Sequence, residues 1–144
     1  MAVAVEFHTG VADKREFTCR LLRKAYRSGA RVVVSASAAE LGALDRELWT
    51  FDERDFVPHV RVEAGKPPAA AARTPIWLVE GEPGPGAPEV LVNLGPQAAA
   101  DCGRFERVIE IVSSDPDDEA AGRLRWREYK ARGLEIRHLP ARRT

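Results

Sequence analysis

The sequence predicts an α/β domain in three layers, α/β/α, on a mostly parallel mixed sheet. Strand-like and helix-like segments alternate from the N-terminus, the order that parallel strands joined by helical crossovers require. The run "RVVVSA" is β-branched without alternation, as expected of a strand covered on both faces. The 144 residues are 44% hydrophobic and 31% charged, enough for one sheet-centred core and against wholesale disorder. A single domain over residues 1–144 is therefore expected.

The elements follow in order. "VAVEFHTG" reads as a first strand ending at a glycine. In "DKREFTCRLLRKAYRS" (13–28), Phe17, Leu21, Leu22 and Ala25 make one apolar helical face, with Asp13 as its cap and Gly29 as a left-handed stop. "RVVVSA" is the second strand. "SAAELGALDRELW" is a second helix, in which Ser37 and Glu40 have capping-box spacing. "HVRVEA" is a short strand and "GKPPAAAART" a Pro/Ala-rich loop. "PIWLVEG" and "EVLVNLG" are strands joined by "EPGPGAP". "RVIEIVS" is a central strand, the segment from Pro116 to Arg132 a basic helix closed by Gly133, and "LEIRHL" a last strand.

Composition and motifs exclude several function classes. The 22 basic and 22 acidic residues cancel, so the molecule as a whole offers no strong field to nucleic acid or membrane. No apolar run is long enough for a membrane span and the N-terminus has no signal-peptide pattern, so a cytoplasmic protein without membrane attachment is expected. Cys19 and Cys102 lack ligand-spaced partners and read as buried, reduced thiols. His8, His59 and His138 form no HxxxH or HxH pair, so no metal is expected. "GEPGPGAP" has no Lys-Ser/Thr, leads into a strand and carries prolines that remove N–H donors, so it is no phosphate cradle. "HTGVADK" has a single glycine. With no GxSxG elbow and no activated cysteine, no catalytic residue and no cofactor are expected. The acids of "SSDPDDE" (113–119) fall where the basic helix begins and read as capping and helix-dipole residues.

Charge is uneven all the same. Residues 101–120 hold seven acids and two bases, residues 121–144 eight bases and two acids. On a helical wheel Arg123, Trp126, Arg127 and Lys130 share one arc, while Ala120, Leu124 and Ala131 form a neighbouring arc expected to face the sheet. Arg125, Tyr129 and Arg132 lie further round. Without interleaved acids the cations of this arc gain no pairing. The stripe is either a solvated helix face, its arginine stems covering apolar surface, or a docking place for a carboxylate-bearing partner. "LWTFDERDFVPH" (48–59) brings Trp49, Phe51 and Phe56 together between a helix and a strand. Those rings either seal the sheet edge or meet a partner.

"ELWTFDERDFVPH", "RWREYKARGLEIRH", the "YRSGARVVV" transition and the overall length together resemble the chi subunits of bacterial DNA polymerase III, accessory to the clamp loader. The resemblance covers nearly the full chain. It implies a Rossmann-like α/β domain without nucleotide chemistry, acting as a non-catalytic replisome adaptor. One surface is implied to bind the acidic C-terminal tail of single-stranded DNA-binding protein through Arg123, Trp126 and Arg127, with Lys130 and Arg125 nearby. Trp126 and Arg127 stand where other members can have Tyr and Lys. A second surface, Trp49 and Phe56 with Val57, Pro58 and His59, is implied to bind the psi subunit. The protein would then be a monomer or a 1:1 heterodimer with psi, touching single-stranded DNA only indirectly. Two alternatives remain open: a direct single-strand binder stacking bases on Trp126 and Tyr129, and a Mg²⁺-dependent nucleotide-metabolising enzyme using the acids at 115–119.

Overall fold

The computed structural model describes residues 3–50, 56–63, 67–81 and 86–141. Seven strands form one sheet: β1 (Ala4–Val11), β2 (Val32–Ser35), β3 (His59–Val62), β4 (Ile76–Val79), β5 (Val90–Asn93), β6 (Arg107–Ser113) and β7 (Ile136–Pro140). Their order is β3-β4-β2-β5-β6-β1-β7. Helices α1 (Lys14–Arg27) and α2 (Ala38–Thr50) pack on one face and α3 (Pro116–Ala131) on the other, giving the three layers expected. Every pairing among the described residues is parallel, so the sheet is not mixed there. β4 and β5, joined by residues 80–89, do not pair with each other as a hairpin but flank β2 on either side, each parallel to it.

Local chemistry sets the helix boundaries much as the sequence suggests. Asp13 accepts the Glu16 N–H at 3.1 Å and Gly29 closes α1 with φ 81°, a conformation glycine adopts without steric cost. The Ser37 hydroxyl accepts the Glu40 N–H at 3.3 Å at the start of α2. Asp115 caps α3 through the Asp117 N–H at 3.0 Å, with Pro116 in the first turn, and Gly133 (φ 80°) follows its end. The described part of the "GKPPAAAART" segment, from Pro67 on, carries regular structure that its composition does not suggest. Ala69–Arg73 forms a 3-10 turn whose buried Ala71 accepts the Trp77 indole N–H at 2.9 Å, since a buried indole needs an acceptor and the turn supplies one.

The two faces of the sheet carry separate apolar clusters. Leu22 of α1 and Leu41, Leu44 and Leu48 of α2 cover Val32, Val34, Ile76, Leu78 and Ile111. On the opposite face Phe7, Val33, Trp77, Leu91 and Val108 pack with Tyr129 of α3. Cys19 and Cys102 are both free and buried, in different clusters, and burial pushes the Cys19 thiol up to about 12. Among the described residues β7 pairs with β1 alone, and its exposed Arg137, His138 and Pro140 are features that blunt an edge strand.

Two positions couple sequence directly to stability. A Cβ at Gly122 would stand 2.8 Å from Val112 Cγ2, so α3 approaches β6 only because residue 122 has no side chain. Gly122→Ala should destabilise by about 1–3 kcal/mol through overpacking, read from urea denaturation midpoints. On the other face Arg107 donates to both oxygens of Glu6, at 2.8 and 3.0 Å, and that hydrogen-bonded pairing holds the Glu6 carboxyl below its ordinary value. A carboxyl depressed in the folded state adds stability that is complete above its unfolded value and lost as pH falls through the folded one. Arg107→Gln should therefore flatten the acid limb of the stability–pH curve relative to the unmodified protein.

Candidate functional site

The site is built on α3, and the orientation of α3 follows from one side chain of the sheet. Glu110, in the middle of β6, is completely buried. Its carboxylate receives three donors: Arg125 Nε at 2.8 Å, Tyr129 Oη at 2.6 Å and Asn93 Nδ2 at 2.7 Å. Burial pushes the Glu110 carboxyl above its ordinary value, against the Arg125 charge and the hydrogen bonds, which pull it down. Burial and the Glu110 carboxylate likewise hold the Tyr129 phenol above its usual value. Tyr129 Oη also accepts the Ala99 N–H at 2.8 Å, so the network ties the 94–101 loop to the helix.

This arrangement corrects the wheel reading of α3. Gly122, Arg125 and Tyr129 are buried and Trp126 is half-buried, so the inward face is the i, i+3, i+4, i+7 row starting at Gly122. Ala120 and Ala131 are exposed, and Leu124 is 64% exposed. Hydrophobicity pointed to the wrong arc because the sheet offers α3 a buried carboxylate, which selects a guanidinium and a phenol. Arg125, grouped by the resemblance with the docking residues, is 3% exposed and held inside by Glu110. Tyr129 is withdrawn as well, so no stacking platform shared with Trp126 exists.

The remaining stripe residues are displayed. Arg123, Arg127 and Lys130 are exposed, and none is in an ion pair with a described residue. The Trp126 ring packs on Phe7, with centroids 5.0 Å apart and planes at 58°, and meets the His138 ring edge-on at 5.8 Å. Beside it runs an open groove of about 400 Å³. Trp126, Gly122 and Val112 give the groove apolar walls, and Arg123, Thr9, His138 and Glu119 give it polar ones. Thr9 Oγ1 lies 2.7 Å from His138 Nε2. Arg127 and Lys130 are not groove walls. Thr9 and His138 were not legible because β1 and β7 are distant in sequence, and Gly122 and Glu119, though on α3, are recognisable as walls only from its true inward face. Glu119 also stands one turn before Arg123, so the stripe is not free of acids at its N-terminal end.

The aromatic stretch forms a second surface at the opposite edge of the sheet. Trp49, 62% exposed at the end of α2, stacks on Phe56, 46% exposed, with centroids 4.8 Å apart. His59 of β3 underlies both rings, at 5.7 and 5.8 Å. Its Nε2 is 2.6 Å from Asp45 Oδ1 and its Nδ1 2.8 Å from the Val57 carbonyl oxygen, so hydrogen bonds on both sides fix the ring. Val57 is 1% exposed and fills the core under α2, while Pro58 is half-buried. A partner at this surface would thus meet Trp49 and Phe56, with His59 and Val57 supporting them. Phe51 lies outside the described residues.

The acids at 113–119 behave mostly as caps. Asp115 holds the Asp117 N–H, and Asp118 accepts the Ser113 N–H at 2.7 Å and Lys14 Nζ at 3.3 Å. At α2 the Ala38 N–H is met by Glu80 Oε2 at 3.0 Å. At the starts of α1, α2 and α3, where nucleotide-binding sheets receive phosphate, a carboxylate of the chain itself accepts one backbone N–H.

Fold and site together define a three-layer parallel α/β domain of the nucleotide-binding type that displays, on an outer helix, a row of cations unpaired among the described residues. The sequence matches the family described as "DNA polymerase III chi subunit, HolC" over residues 2–137. It is 34% identical over 128 residues to DNA polymerase III subunit chi of Pseudomonas aeruginosa, covering 87% of this chain and 86% of that protein. It is 30% identical over 126 residues to the protein of the same name from Haemophilus influenzae, covering 84% and 83%. The chain belongs to the DNA polymerase III chi subunit family and is thus an accessory component of DNA replication. Among the described residues no helix is long and apolar enough to cross a membrane.

The buried pair separates the structural arginine from the displayed ones. Arg125→Met leaves the Glu110 carboxylate without its cation and should cost about 3–5 kcal/mol in urea denaturation, partly recovered in the double variant with Glu110→Gln. Arg127→Ala should leave the unfolding midpoint nearly unchanged.

Proposed function

We propose that the chain is a non-catalytic, single-domain adaptor, residues 1–144, that joins two replication partners. The groove beside Trp126 receives the acidic C-terminal tail of single-stranded DNA-binding protein, and the Trp49–Phe56 surface receives the psi subunit of the clamp loader. The observation that carries this reading is an exposed row of cations, Arg123, Arg127 and Lys130, without an ion pair among the described residues and bordering a half-buried indole. A chain end with a free carboxylate needs a guanidinium, and its apolar last residue needs a shallow ring-lined wall. Trp49 and Phe56 support the second half, because stacked aromatics exposed together on a small domain mark interaction surfaces. Contact with single-stranded DNA is then indirect. Cytoplasmic residence accords with this role.

A single short chain end held this way should bind weakly, on the order of micromolar, or about −8 kcal/mol. Several tails displayed on one DNA-coated oligomer raise the effective concentration without any new contact. Direct stacking of bases would rest on Trp126 alone, since Tyr129 is buried, which favours the peptide reading.

Calorimetric titration with a short acidic peptide bearing a free C-terminal carboxylate tests the first surface. Binding should weaken about tenfold on Arg127→Glu, weaken on amidation of the peptide end and fall with added salt. Unchanged binding by a folded Arg127→Glu protein removes the stripe from the site. In a pull-down, Phe56→Ala should lose a different partner from the one lost by Arg127→Glu.

A further inference from the structure

We infer that Glu119 sets the direction in which a bound chain end lies along α3, a role that rests on reading the Trp126 groove as the docking place. α3 is divided by charge along its axis, with acids from Asp115 to Glu119 and the displayed cations from Arg123 to Lys130; Glu128 within the second half is paired with Arg132 at 3.0 Å. The other acids are used elsewhere: Asp115 caps the helix, Asp118 holds Lys14 and the Ser113 N–H, and Asp117 does not line the groove. Glu119 differs from all three. It is exposed, its carboxylate has no partner among the described residues, and it lines the same groove as Arg123 and Trp126. Glu119 and Arg123 have the i, i+4 spacing at which such pairs form on a helix. No ion pair joins them, so both charges remain available to a ligand.

Helical rise places Glu119 about 6 Å to one side of Arg123 along the axis, and Arg127 and Lys130 about 6 and 10 Å to the other. A ligand carboxylate seated at Arg123 therefore meets repulsion toward the start of the helix and attraction toward its end. Separations of about 6 Å lie within the screening length of about 8 Å in a physiological buffer, so Glu119 and Arg127 act on a carboxylate at Arg123 more strongly than Lys130 does. An acid-rich chain lying toward Glu119 loses on every acidic residue it places there. One lying toward Lys130 gains. Glu119 is accordingly a specificity-determining residue: it admits an acidic chain end with its preceding acids over Arg127 and Lys130, and disfavours the reverse orientation.

The test uses the full chain, isotope-labelled, and a short peptide with several aspartates before an apolar C-terminal residue, a free carboxylate, and a nitroxide at its N-terminus. In the unmodified protein the nitroxide should broaden amide signals around Lys130 and spare those around Asp117 to Glu119. Glu119→Gln should tighten binding about two- to fivefold at low salt and less at high salt. Glu119→Lys should add broadening around residues 117–119 as the second orientation becomes populated. Broadening around 117–119 in the unmodified protein overturns the inference. So does a Glu119→Lys protein that keeps both affinity and broadening pattern, and in either case the docking reading stands. Absence of peptide binding by the unmodified protein at low salt overturns the docking reading and this inference with it.

Discussion

The carboxylate of Glu110 is the constraint on which the rest of this structure depends. An ion placed in the middle of a sheet is very costly unless it is paired and fully hydrogen-bonded. Glu110 obtains its donors from two directions: Arg125 and Tyr129 from the helix above, Asn93 from the neighbouring strand. Asn93 also donates to the Gln97 carbonyl and accepts the Gly95 N–H, so the same network shapes the loop beside the helix. A buried pair of this kind adds little net stability compared with apolar packing. What it does is fix geometry. Successive helical residues project about 100° apart, so turning α3 by one residue would leave Glu110 without either donor and drive Trp126 inward. Display of Arg123 and Arg127 is thus a consequence of where Arg125 and Tyr129 must point.

This dependence explains what was legible in the sequence. The layered α/β class, the helix caps and the two left-handed glycines were readable because they rest on local chemistry: a short side chain before a helix, a residue without Cβ after one. Both candidate surfaces were readable as stretches, since aromatics and cations stand out in composition. The inward face of α3 was not, because a wheel scored by hydrophobicity assumes an apolar floor. The available signal was the lone glutamate within "RVIEIVS". A charged residue in the centre of a covered strand requires a donor from the facing element, and an arginine and a tyrosine four residues apart answer it. Groove walls from β1 and β7 were out of reach, since they adjoin α3 only once the crossovers bring both chain ends together.

The parallel sheet also determines how far apart the two surfaces lie. Trp49, Phe56 and His59 sit at the β3 edge on the α2 face, whereas Trp126 and His138 sit at the β7 edge on the α3 face. Six inter-strand spacings of about 4.8 Å put roughly 29 Å between those edges. Val32, Val33 and Val34, buried at the centre, join the two halves into one packed slab. Two partners of ordinary size can occupy opposite edges of such a slab without colliding. An adaptor needs that separation more than it needs tight binding at either end.

Parallel α/β sheets usually bind anions at helix N-termini, where unpaired N–H groups and the helix dipole act together. Here Asp13, Glu80 and Asp115 each accept one N–H at those positions, placing a negative charge of the chain itself where an anion would otherwise sit. Three exposed cations without an ion pair among the described residues, Arg123, Arg127 and Lys130, follow one another along α3, the last two near its C-terminus where the negative end of the dipole favours cations. Such charge differs in kind from a phosphate loop. It is exposed, flexible and screened by salt, and it offers no enclosed, preorganised cradle in which a nucleotide's charge could be stabilised. A row of mobile guanidinium groups beside a fixed indole suits a ligand that is itself flexible and acidic and carries one apolar residue at its end. Glu119 at the head of the row adds the asymmetry that lets the same few charges distinguish one direction of that chain from the other.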